Sequence, residues 1–132
     1  MREKIFDPLR RKHVALTPEE AVRQHFIMWL NKERNYPLSL MASEYTLKFN
    51  RMNYRCDIVA FNKALQPQLI VECKAPDTKL NREVIDQIQR YNLVLKVKNL
   101  IITNGETTFA CALNQSGSNY EFTGDIPFYE SL

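Results

Sequence analysis

Apolar positions along the chain fall into two spacings. Val22, Phe26, Trp29 and Leu30 recur as one face of a helix. Thr17-Pro18-Glu19-Glu20 just ahead of them reads as its start. Thr17 can cap the free N–H groups, Pro18 fits the first helical position, and Glu20 stands where a capping-box glutamate belongs. Tyr36-Pro37 marks its end, because the residue before a proline is pushed out of helical geometry. A second helical stripe runs through Leu80, Val84, Ile88, Tyr91 and Leu95, with Asn81 as its cap.

The other spacing is that of strands. Residues 43–49 alternate, and 57–61 and 69–73 are short and β-branched, joined by a turn-like 62–68 that predicts an antiparallel hairpin. Leu100-Ile101-Ile102-Thr103 predicts a buried strand, Asn104-Gly105 a turn, and 107–113 its hairpin partner, with a further strand near Tyr120-Glu121-Phe122. Residues 1–16 read as an N-terminal arm carrying the basic cluster Arg10-Arg11-Lys12-His13. The order helix, three strands, helix, two or three strands predicts an α/β layer fold, a mixed central sheet flanked by helices.

Bulk properties narrow the class. At 132 residues and 45% apolar, the chain suits one domain spanning 1–132 with a real core. Eighteen Lys and Arg against fifteen Asp and Glu leave a net charge of +3, which permits a phosphate-bearing partner without demonstrating one. Cys56, Cys73 and Cys111 form no C-x-x-C pair and no dense framework, so neither a zinc site nor a secreted disulfide scaffold is expected. The charged N-terminus has no apolar signal region and no stretch is long enough to span a bilayer. A reducing cytoplasm, with no membrane contact, is the expected setting.

The hairpin register brings charge together. With its turn centred near Leu65, Asp57 lies opposite Cys73, within one position of both Glu72 and Lys74. Glu72 and Lys74, two apart, point to one face. A salt bridge at a sheet margin and a magnesium site explain this convergence equally well. Magnesium takes oxygen ligands, binds through one or two carboxylates, and leaves positions for water and phosphate. A bound metal lowers the pKa of water, and a nearby lysine stabilises developing negative charge.

Asp57, followed after fourteen residues by Glu72-Cys73-Lys74, matches the D…E-x-K signature of the PD-(D/E)XK nuclease superfamily. The flanking segments Thr17–Gln24, Tyr54–Val59, Ile70–Pro76 and Asp86–Tyr91 resemble the N-terminal nuclease domain of type I restriction enzyme R subunits, over about residues 14–113. The resemblance implies a restriction-endonuclease-like core and a Mg2+- or Mn2+-dependent endonuclease hydrolysing double-stranded DNA in defence against foreign DNA. Asp57 and Glu72 would be metal ligands, the Cys73 carbonyl a third, and Lys74 the catalytic lysine. Gln87 and Tyr91 match a Q-x-x-x-Y element and would contact DNA or support catalysis from one helix face, although core packing explains the Tyr91 ring as well. Glu20 would be the carboxylate that the first helix brings to the metal. Its capping role explains it equally, and Glu19 competes for the part. His13 and His25 lack partners at ligand spacing and are given no role.

The sequence departs from the R subunits in lacking G-x-x-x-x-G-K-[ST], which leaves two expectations open: a free nuclease, or one that works with a separate motor or specificity subunit. Cys56 stands where the superfamily has its first proline. A homodimer would suit cutting of both strands. The competing readings are a non-catalytic DNA-binding or protein-interaction module on the same fold, and an RNA-directed nuclease, which no cluster of stacking aromatics favours.

Overall fold

The computed structural model describes residues 3–132, so the first two positions of the predicted arm lie outside it. The elements run β1 (Lys4–Asp7), β2 (Lys12–Ala15), α1 (Pro18–Arg34), β3 (Met41–Phe49), β4 (Met52–Phe61), β5 (Pro67–Cys73), α2 (Arg82–Leu93), β6 (Asn99–Thr103), β7 (Thr108–Leu113) and β8 (Tyr120–Thr123). Single 3-10 turns at Leu38–Leu40 and Tyr129–Ser131 complete them. Helix α1 begins as the sequence indicates: the Thr17 side chain accepts the Glu20 N–H at 3.1 Å. It ends on Asn35 in the left-handed conformation.

Strands β3 to β8 form one six-stranded sheet in chain order. All neighbours are antiparallel except β5 and β6, which run parallel. Helix α2 is the crossover that a parallel pair requires. The two helices cover opposite faces. On one, Val22, Phe26, Ile27 and Leu30 of α1 pack on Ile58, Ala60, Leu69, Val71 and Ile101. On the other, Ile85 and Ile88 of α2 pack on Val59, Ile70, Leu100, Ile102 and Cys111. This double cover is why Leu69–Val71 and Leu100–Ile102 are unbroken apolar runs rather than alternating ones.

Two expectations change. The arm is not irregular: β1 and β2 pair as an antiparallel hairpin whose bend carries Arg11 in the left-handed conformation. Its strands are too short and polar to stand out in sequence. The β4–β5 register is also one residue tighter than a turn centred at Leu65 implies. Ile58 pairs with Val71, Val59 with Ile70 and Ala60 with Leu69, with an irregularity at Ala60/Phe61. Continued outward, that register sets Asp57 opposite Glu72 rather than Cys73.

The hairpin is tied down by Asp7, which is fully buried. Its carboxylate accepts from Leu9 N–H at 2.7 Å, from Arg10 N–H at 3.2 Å, from Arg10 Nε, and from the Ser43 hydroxyl of β3 at 2.6 Å. Burial alone would raise the Asp7 pKa, but these bonds outweigh it and hold the carboxyl below its ordinary value. Asp7→Ala leaves several buried donors unmet and is expected to cost about 2–4 kcal/mol in urea unfolding, with the β1–β2 amides losing exchange protection first.

Candidate functional site

The site forms where the β4–β5 ladder opens. Pairing stops at Ile58–Val71, and the next residues outward are Asp57 and Glu72. There a side chain takes over from the backbone: Asp57 Oδ2 accepts the Cys73 N–H at 2.6 Å. Both β3 and β4 switch faces at this point. Ile58 packs toward α1 but Cys56 packs toward α2. Across from them, Ser43 reaches Asp7 on the α1 side, whereas the Tyr45 ring lies 5.4 Å from Phe61 on the α2 side. Glu44, between them, adopts φ 51°, the left-handed conformation that relieves the twist. One position past β5, the Lys74 N–H donates to the Thr103 carbonyl of β6 at 2.8 Å. The ends of β5 and β6 and the irregular middle of β4 therefore fix Asp57, Glu72 and Lys74.

Two carboxylates this close and this buried cannot both ionise cheaply. Burial, and then the charge of Asp57, push the Glu72 carboxyl up to about 8, while Lys74 pulls the other way. Burial also raises Asp57, against the Cys73 N–H, Arg23 and Lys74. Glu72 Oε1 is buried without a hydrogen-bond partner, next to the fully buried Asn92 of α2.

Arg23 organises the other side. Its side chain is 3% exposed and meets Glu44 Oε1 at 2.9 Å, Glu20 Oε1 at 3.0 Å, Asp57 Oδ1 at 3.3 Å and Glu19 Oε1 at 3.7 Å. Sequence reasoning missed Arg23, although its place one turn past Glu19 and Glu20, on a helix with plain capping signals, could have pointed to it. Glu20, for which the sequence left a metal-binding and a capping role equally open, is held by basic and amide side chains. Its two oxygens accept from Arg10 Nη2 at 3.0 Å, from Arg23 Nη1 at 3.0 Å and from Gln24 Nε2 at 2.8 Å. The capping box is only half made, since the Thr17 N–H donates to the Ala15 carbonyl instead. Glu19 is the α1 carboxylate that senses Asp57: burial and then that charge raise its pKa, with Arg23 and Lys74 lowering it.

Gln87 is exposed on α2, one turn before Tyr91. The Tyr91 ring is outside the core, 47% exposed, and lies 5.3 Å from the ring of Tyr54. The sheet-facing side of α2 is instead Ile85, Ile88 and Asn92. In the basic cluster, Arg10 is taken by Asp7 and Glu20, and His13 is exposed with its ring against Phe6.

The chain is thus a mixed α/β sheet with a helix on each face and a partly buried acidic pair near a lysine. The family described as type I restriction enzyme R protein N terminus matches residues 18–127. The chain belongs to that family, which places it among restriction-system proteins. No curated protein and no solved structure matches.

The donor chemistry fits a hard divalent cation. Asp57, Glu72 with its unpartnered oxygen, and a backbone carbonyl beside them supply oxygen only. Among the described residues, no three or more His, Cys, Asp and Glu side chains cluster to hold a metal.

The sign of the pH effect follows from Glu72. Below about pH 4.5 both the folded and unfolded states hold its proton. Between about 4.5 and about 8 only the unfolded chain ionises, so stability falls as pH rises across that window and then levels off. Glu72→Gln is therefore expected to raise the Tm in EDTA progressively from pH 5 to pH 8. A Tm difference that stays flat across that range would contradict the raised pKa.

Proposed function

We propose that the chain is a magnesium- or manganese-dependent deoxyribonuclease that hydrolyses phosphodiester bonds of double-stranded DNA, on a restriction-endonuclease-like core. The observation that carries this reading is the Asp57–Glu72 pair at the opened end of the β4–β5 ladder, with Lys74 near enough to ease the charge on both. Family membership supports it.

Asp57, Glu72 and the Cys73 carbonyl would hold the metal. When bound, the metal screens the phosphate charge and makes water acidic enough to attack at neutral pH. Around it the chain's own groups position and compensate. The Cys73 N–H and Arg23 orient the Asp57 carboxylate. Lys74 offers its ammonium to the negative charge that develops on the scissile phosphate. Glu19, about half exposed, stands ready as a further acidic group or water acceptor where Glu20 is locked away. Gln87 and Tyr91, exposed on α2, contact the DNA. As an R-subunit-type domain the chain works with other subunits of a restriction-modification system.

A second reading, a DNA-binding module without cleavage, is favoured by one feature: both Asp57 oxygens already have partners, Arg23 on one and the Cys73 N–H on the other.

A plasmid-cleavage assay separates the two. The wild type is expected to cut in Mg2+ or Mn2+, and not in EDTA. Asp57→Asn and Lys74→Met should lower the rate by about 10²-fold or more, with folding verified by circular dichroism. Binding without cutting by the folded wild type in every divalent metal tried would leave only the second reading.

A further inference from the structure

Strands β3 and β4 do not end at the site. Beyond the last β4–β5 pair they continue together, pairing Tyr45–Cys56, Thr46–Arg55, Leu47–Tyr54, Lys48–Asn53 and Phe49–Met52. With β5 unpaired there, this is a two-stranded ribbon reaching about 20 Å past the ladder's end, at roughly 3.3 Å per residue. A two-residue turn closes it, with Asn50 at φ 49° and Arg51 at φ 67°. Both central residues left-handed is the turn type whose twist matches a hairpin.

The ribbon has two unlike faces. On the α2 side, Leu47 packs against the core cluster there and Tyr54 meets Tyr91. Alternation from that register places Thr46, Lys48, Asn53 and Arg55 on the other side, and all four are exposed. Residues 46–55 hold Lys48, Arg51 and Arg55 and no acidic residue. A free two-stranded hairpin is marginal in water, and a strip of cations adds repulsion. This one is held at its base, where Arg55 Nε pairs with Glu44 Oε2 at 2.9 Å and Glu44 Oε1 pairs with Arg23, which also binds Asp57. The cationic face is thus joined to the acidic site by an unbroken chain of ion pairs.

We infer that the β3–β4 ribbon is an arm that grips the DNA phosphate backbone through Lys48, Arg51 and Arg55 and sets the strand to be cut against Asp57 and Glu72. The inference rests on the nuclease reading for its substrate. The arm supplies the positive field that the site itself, with its surplus of carboxylates, cannot. Phosphate contacts of this kind fix position without reading sequence.

The test is binding of a short fluorescein-labelled duplex of arbitrary sequence, followed by anisotropy in calcium across a salt series. Lys48→Gln/Arg51→Gln is expected to lower the slope of log affinity against log salt by about 1.8, at about 0.9 for each phosphate no longer neutralised, equally on unrelated sequences. Lys32→Gln/Lys63→Gln removes the same charge from sites off the arm and is expected to leave the slope unchanged. Equal slopes for the arm variant and wild type, or equal reductions in both double variants, would overturn the arm. So would a wild type that binds duplex RNA in preference to DNA, or binds neither. If the arm variant loses its slope but the wild type cuts nothing in magnesium or manganese, the arm stands and the nuclease reading falls. Cutting by wild type with unchanged binding by the arm variant gives the reverse.

Discussion

One buried guanidinium holds this end of the molecule together. Arg23 faces carboxylates from α1, β3 and β4, namely Glu19, Glu20, Glu44 and Asp57. Without it, four acidic groups would crowd a poorly hydrated corner where like charges repel strongly. With it, the same groups become a frame. A buried ion pair often adds little net stability, because desolvation offsets attraction. What it supplies here is geometry: Arg23 fixes which way Asp57 points and where α1 sits relative to the opened strands.

The frame extends outward in two directions. Through Glu20 and Arg10 it reaches Asp7, which binds the N-terminal hairpin to Ser43 of β3. Through Glu44 it reaches Arg55 and the base of the β3–β4 ribbon. Glu44 itself adopts the left-handed conformation at the point where both strands change faces. The twist that opens the ladder at Asp57 and the twist that turns cations to one side of the ribbon are one event. Site and arm are consequences of the same irregularity.

Glu72 stands apart from this network. Its partner-poor oxygen and raised pKa show an acidic group held where its charge is costly. Lys74 lowers that cost without removing it. Glu20, the more deeply buried of the two glutamates, has both oxygens bonded to Arg10, Arg23 and Gln24.

The sequence by itself determined the two helices, their caps and the apolar strands β5 and β6, because local spacing and burial on both sides leave direct traces in composition. It also brought Asp57, Glu72 and Lys74 together, since a hairpin obliges residues equidistant from its turn to meet. Its register was off by one, and bulges have no sequence signature at a position such as Ala60/Phe61. The first half of β4 was missed because its residues are polar and solvated, which makes a protruding ribbon resemble a loop. Only tertiary structure tied Glu20 to Arg10, Arg23 and Gln24, placed Asn92 beside Glu72 and left Tyr91 outside the core. It alone made Arg23 the hub: helical spacing hints at Glu19 and Glu20, but Glu44 and Asp57 lie on separate strands that no spacing along the chain connects to it.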